Sequence, residues 1–203
     1  VSLRRHAAQW LALSAGAITM SLAASFLGRP YTPLFASLGV LLAYAYTGPP
    51  FKLKYRGLGH LNLLLSWWLT SSPGVYYMAC GELSLQPLLV SLPPVLLTIA
   101  VLRANNIRDI DTDRAAGVKT LETIIGKKAS RALFLFYIAA AYIIQSALSL
   151  SLGPTLLLPL LSAPMLAGAL KVLREPPPTD ADPLVARHTI LFSLLSAVGV
   201  ALR

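Results

Sequence analysis

The chain has 203 residues, of which 56% are apolar and 12% charged, with a formal net charge of +9 and a mean hydropathy of +0.66. A soluble domain carries roughly twice that share of charge. No Asp, Glu, Lys or Arg falls between Arg5 and Arg29, Arg29 and Lys52, Arg56 and Glu82, Glu82 and Arg103, or Arg131 and Lys171. Such gaps argue against a soluble helical protein and match the roughly 20 residues that a helix needs to cross a bilayer. The single cysteine, Cys80, excludes an internal disulfide framework.

In chain order, seven spans are expected, at about Ala7–Leu27, Pro33–Thr47, Leu61–Ala79, Pro87–Leu102, Ala132–Leu152, Pro154–Leu170 and Thr189–Leu202. The first apolar run is too long for the apolar core of a signal peptide and reads as a span. The uncharged stretch Ala132–Leu170 holds two spans divided at Gly153-Pro154, because that dipeptide breaks a helix. Pro73, Pro93, Pro94, Pro159 and Pro164 fall inside spans and predict kinks supported by neighbouring helices. The expected fold class is all-α, a polytopic transmembrane helix bundle.

With seven crossings, the N-terminus and the loops Gly48–His60, Arg103–Arg131 and Lys171–His188 share one membrane face. Of the 17 Lys and Arg residues, only Arg29 and Arg203 lie elsewhere. The bias assigns that face to the cytoplasm, and the cell membrane is the expected location. The net charge is then a membrane-surface asymmetry and not a nucleic-acid footprint. His60 and His188, near span ends, are expected at the interface. Trp67, Trp68, Tyr76 and Tyr77 are expected as packing or belt aromatics.

The first cationic loop reads YAYTGPPFKLKYRGLGHL from Tyr44 to Leu61. Gly48-Pro49-Pro50 ends a helix, and Lys52, Lys54 and Arg56 follow on alternate positions. In an extended segment they would share a face suited to phosphate oxygens. The second loop reads RANNIRDIDTDRAAGVKTLETIIGKKASR from Arg103 to Arg131. Asp109 and Asp113 are four apart, so a helix places them on one face with Asn105 one turn earlier. Two carboxylates and an amide at that spacing form a hard-oxygen site suited to magnesium. Asp111 points away. Gly117 lets the helix break, after which Lys119 and Thr120 can face a diphosphate. The competing reading is a solvated loop with its acids paired to Arg108 and Arg114. Three acids within five residues favour the cation site.

YTGPPFKLKYRGLG followed by NNIRDIDTDRAAGVKTL resembles the UbiA superfamily of intramembrane prenyltransferases, and most closely its MenA-like branch, the 1,4-dihydroxy-2-naphthoate polyprenyltransferases. The resemblance implies a nine-helix bundle with a cavity open towards lipid. It also implies transfer of a polyprenyl group from polyprenyl diphosphate to an aromatic quinone precursor, with magnesium held by two Asp-rich motifs. Asp109 and Asp113 would be the acids of the second motif, with Asn105 as a further metal ligand. Lys119, and Lys52 or Arg56 from the other loop, would contact the diphosphate, and Lys54, Asn105, Asn106 and Thr120 are further candidate contacts.

The first motif of that family, NDxxDxxxD, is absent from these residues. Counting back from Asp109, the first span corresponds to the third helix of the family. Residues 1–203 are therefore expected to be a single prenyltransferase domain lacking its first two helices, inserted in the membrane but inactive alone. Alternatives of another kind are an inactive homologue and an ion-conducting membrane protein. Among enzymes, the alternatives are another quinone precursor or a glyceryl phosphate lipid as acceptor.

Overall fold

The computed structural model describes residues 3–203. Val1 and Ser2, the tip of the expected cationic N-terminus, lie outside them. Every regular element among the described residues is helical. The first half holds α1 (Leu3–Phe26), α2 (Thr32–Thr47), α3 (Gly59–Leu63), a π-helical stretch (Leu64–Ser71) and α4 (Ser72–Cys80). The second half begins with α5 (Gln86–Arg108), α6 (Ile110–Ala115) and α7 (Leu121–Leu152). A 3-10 rod (Pro154–Met165) follows, continued by α8 (Leu166–Ala169) and a 3-10 turn (Leu170–Leu173), before α9 (Ala181–Ala201).

α3, the π stretch and α4 run on without a gap, as do Pro154 to Leu173, so the chain forms rods at the positions of the seven expected spans. Five are long and apolar enough to cross a membrane: Arg5–Phe26, Gln86–Arg108, Leu121–Leu152, Pro154–Leu173 and Ala181–Ala201. α2 is shorter. Prolines open α2 and α5 within their first two positions, where no intrahelical N–H is lost, whereas Pro73 lies inside the continuous third rod just past the π stretch. In the π stretch the hydroxyls of Thr70 and Ser71 donate to Leu65 O (2.9 Å) and Ser66 O (2.8 Å), five residues back. These bonds support a widened turn where lipid offers no water. Pro159 and Pro164, which lack N–H groups, sit in the 3-10 rod.

α5 packs between α7 and α9. Its Leu97, Ala100, Ala104 and Ile107 meet Phe134, Ile138 and Ala141 of α7, and Val185 and Phe192 of α9. Alanines on both sides let the backbones approach, which is how membrane helices gain dispersion contact.

Several boundaries differ from the sequence reading: α1 begins at Leu3 and not Ala7, α5 runs on to Arg108 and not Leu102, and two starts are displaced further. The fifth rod begins at Leu121 and not Ala132, with a break at Gly126 (φ 81°, ψ 169°), and the last begins at Ala181 and not Thr189. Charged residues at these helix starts hid the helical periodicity. His60 and His188, expected at the interface, are instead buried. His60 is 7% exposed and His188 0%. His188 is held between α7 and α9 by Tyr142 Oη, 2.8 Å from Nε2.

Contacts between distant segments define the two ends of the bundle. His60 reaches Glu122, Arg108 reaches Asp182, and Lys127 reaches Glu175, so the loops after α2, α5 and Leu173 share one end. At the other, Arg29 Nε donates to Met78 O at 3.1 Å, joining the turn after α1 to the end of α4.

Candidate functional site at the cationic face

The last turn of α5 passes into α6 through Asp109 (φ −93°, ψ 6°). The Asp109 amide donates to Asn105 O (3.1 Å) and the Asp113 amide to Asp109 O (2.8 Å). The helical repeat therefore survives the kink, and Asn105, Asp109 and Asp113 follow one face. Asp111 faces elsewhere, pairing with Lys127 Nζ at 2.6 Å and Arg114 Nη1 at 3.9 Å. α6 closes at Gly117 (φ +70°), where the Val118 amide donates to Asp113 O (2.8 Å) and the Gly117 amide to Arg114 O (3.2 Å). That paired closure needs a left-handed residue, which glycine supplies without strain. Lys119 is exposed beyond it. Thr120 is buried and caps α7, its Oγ1 accepting from the Thr123 amide at 3.3 Å.

Arg108 organises the acids at the rim. Its Nε donates to Asp109 Oδ1 (2.8 Å) and its Nη2 to Asp109 Oδ2 (3.0 Å) and Asn105 Oδ1 (2.7 Å). Its Nη1 donates to Thr179 O (3.2 Å) and to the Asp182 carboxylate. Further along the rim, Glu175 accepts from Lys127 Nζ (3.2 Å) and Arg131 Nη2 (2.5 Å). The Arg131 guanidinium, followed by Lys127, holds the Glu175 carboxyl below its ordinary pKa.

Beneath the rim lies a buried polar cluster that the sequence reading missed. Glu122, 0% exposed, accepts from Asn106 Nδ2 at 2.8 Å and lies 3.2 Å from His60 Nε2 and 3.3 Å from Arg103 Nη1. Arg103 is itself 0% exposed. Asn106, expected to face the diphosphate, is thus engaged in tying α5 to α7. Arg103, directly at the end of an apolar run, was the available signal, since a cation on a buried helix needs a partner.

The first cationic loop is not extended. Lys52 is left-handed (φ 47°), and Leu53–Arg56 forms a 3-10 turn ending at Gly57 (φ +75°). The expectation that alternate cations share a face fails, because a 3-10 turn repeats every three residues. Arg56 Nη2 instead donates to Pro50 O at 2.8 Å. Lys52 is exposed and Lys54 half-buried. Gly57 packs where a Cβ would stand 2.9 Å from Ile124 Cδ1, bringing the loop against the start of α7.

That packing sets the Lys54 loop at the same end of the bundle as Asp113. Burial pushes the Asp113 carboxyl above its ordinary pKa, the Asp109 carboxylate adds to the rise, Lys54 opposes it and Glu122 raises it further. Asp109 and Asp113 supply hard oxygens of the kind magnesium takes together with water and phosphate oxygens. Among the described residues no three acids, histidines or cysteines converge as a metal cage. The donor set fits a shared, hydrated ion and not a closed protein site.

A groove of about 590 Å³ runs between α1, α2 and α4, lined in part by Trp10, Ala17, Phe35, Gly39, Gly74 and Val75. Trp10 packs on Tyr44 with ring centroids 5.7 Å apart, and Tyr44 Oη donates to Pro49 O at 2.6 Å. The apolar groove therefore reaches the cationic loop.

The UbiA prenyltransferase family profile matches residues 1–195. The chain belongs to the UbiA prenyltransferase family. It is 32% identical over 164 residues to UbiA prenyltransferase domain-containing protein 1 of Ailuropoda melanoleuca, covering 81% of this chain and 48% of that protein. The Homo sapiens protein of that name is 30% identical with the same coverage. A 1,4-dihydroxy-2-naphthoate octaprenyltransferase of Haemophilus influenzae is 31% identical over 175 residues, covering 82% of this chain and 57% of the relative. The chain thus spans about half the length of the curated relatives it matches. Relatives of both names match a similar share of it, so membership extends to the UbiA family and not to one branch.

Proposed function

We propose that the chain is a prenyltransferase domain of the cell membrane, with its site on the cytoplasmic face. It transfers a polyprenyl group from polyprenyl diphosphate to an aromatic acceptor, 1,4-dihydroxy-2-naphthoate in menaquinone biosynthesis. The observation that carries this reading is the continuous Asn105–Asp109–Asp113 face, set at the bundle end that also holds the Lys52–Arg56 loop. The relative from Haemophilus influenzae supports the choice of acceptor.

In this reading Asp109, Asp113 and the Asn105 amide oxygen hold magnesium on the diphosphate. When bound, magnesium supplies positive charge at the phosphate oxygens. The exposed Lys52 and Lys119, with Lys54, supply positive charge to the same leaving group, while Arg56 is turned to Pro50 O and the buried Thr120 hydroxyl caps α7. Fixed cations stabilise charge that grows as the prenyl C–O bond breaks. The isoprenoid tail lies in the apolar groove, whose walls exclude water that would quench an allylic cation. The ring carbon bearing the carboxylate then forms the new C–C bond, and carbon dioxide leaves.

The test uses protein from its complete coding sequence in lipid vesicles, with magnesium, labelled polyprenyl diphosphate and dihydroxynaphthoate. Magnesium-dependent formation of a decarboxylated prenyl naphthalene is expected. Transfer to a different ring with none to dihydroxynaphthoate overturns the acceptor, and no transfer to any ring overturns the reaction.

A further inference from the structure

Arg108 uses every donor it has. A guanidinium carries five N–H groups, and those of Arg108 go to Asp109 Oδ1, Asp109 Oδ2, Asn105 Oδ1, Thr179 O and the Asp182 carboxylate. Three of these acceptors lie on the acidic face. The other two are Thr179 O, in the segment between Leu173 and α9, and the Asp182 carboxylate, in the first turn of α9. One side chain therefore joins the candidate site to a strap that crosses its edge.

The strap is stitched at two points. Near its start, Glu175 is held by Lys127 and Arg131, and Arg131 Nη2 also donates to Arg174 O at 3.1 Å. Pro176, Pro177 and Pro178 follow and stiffen the segment. Near its end, Arg108 grips Thr179 and Asp182, while the Ala181 amide donates to Pro178 O and the Leu184 amide to Asp180 O, both at 3.1 Å. Only the second stitch touches the acidic face. The side chains of Arg108, Asp109 and Asp182 are 25%, 36% and 27% exposed, so water screens their attraction only in part.

We propose that Arg108 is a positioning residue: it clasps the 174–182 strap to the acidic face, and a magnesium-bound diphosphate competes for the same Asn105 and Asp109 oxygens and loosens that clasp. This rests on the cation-site reading above. A divalent ion on Asp109 draws on the same two oxygens that accept from the guanidinium, places a second positive charge beside Arg108 and so weakens those bonds. Once Asp109 turns to the ion, Arg108 loses the fork that fixes its plane, and its hold on Thr179 and Asp182 weakens. The Glu175 stitch stays, so the proline segment swings about it as a unit.

Amide hydrogen exchange at Ala181 and Leu184 reads the strap directly, in protein from its complete coding sequence in lipid nanodiscs. The probe is magnesium with inorganic pyrophosphate, its binding followed in parallel by calorimetry. Exchange at both amides is expected to quicken about tenfold on binding, the scale of an ordinary coupling between sites. Asp182→Asn should exchange fast without the probe and gain little from it, and Arg108→Lys, which keeps the charge but loses the fork, should behave alike. Glu175→Gln should leave the probe's effect in place. Bound probe with unchanged or slower exchange in the wild type overturns the clasp while the cation site stands. Absence of binding overturns the cation site, and the clasp with it.

Discussion

Glu122, at the start of α7, accepts a hydrogen bond from Asn106 of α5 at 2.8 Å, with neither side chain open to solvent. The same carboxylate meets Arg103 and His60 on its other oxygen. Three segments, the end of α5, the start of α7 and the start of α3 just past the cationic loop, are fixed to one another by a single acid.

Removing that acid leaves the Arg103 guanidinium buried beside His60 without its counter-charge. Glu122→Ala is expected to cost about 3–5 kcal/mol, the range for breaking one side of a buried ion pair. Thermal unfolding in detergent measures it. A loss below about 1 kcal/mol, the scale of an exposed ion pair, would contradict the assignment.

Glu175 gives a pH dependence whose sign is set by its paired cations. Its carboxyl titrates below the ordinary value because Arg131 and Lys127 favour the charged form. The group therefore contributes stability above its unfolded pKa of about 4.3, and the contribution is lost as pH falls through the lower folded value. The difference in Tm between wild type and Glu175→Gln should be small, constant at neutral pH, and vanish in acid. A difference that widens on acidification runs against this account.

The bundle's two ends make opposite predictions for reporters. One inserted near Pro177 should report the cytoplasm, and one fused after Arg203 the other side, because α9 crosses between them. Both reporters on the same side would remove the seven-crossing count.

Much of this architecture is legible in the residues themselves. Charge-free runs placed all seven rods, and the four-residue spacing of Asp109 and Asp113 placed them on one face, since both patterns depend only on local periodicity. Glu122 was hidden because its partners, Asn106, Arg103 and His60, are 16, 19 and 62 residues away in the chain. The Lys52–Arg56 loop was misread because alternation of cations looks the same in an extended strand and in a tight turn. What decides it is the left-handed Lys52 and the packing of Gly57 against Ile124, neither of which has a periodic signature.

The central claim is that one helical face, and not the acidic cluster as a whole, serves the diphosphate. The direct measurement compares magnesium-dependent prenyl transfer by Asp109→Asn, Asp113→Asn and Asp111→Asn in membranes, using protein from its complete coding sequence. The first two should lose about a hundredfold or more, the scale of a group that stabilises developing charge. Asp111→Asn, which gives up an exposed pair with Lys127, should stay within a few-fold of wild type. Equal losses at all three positions, or none at Asp109 and Asp113, would contradict the account.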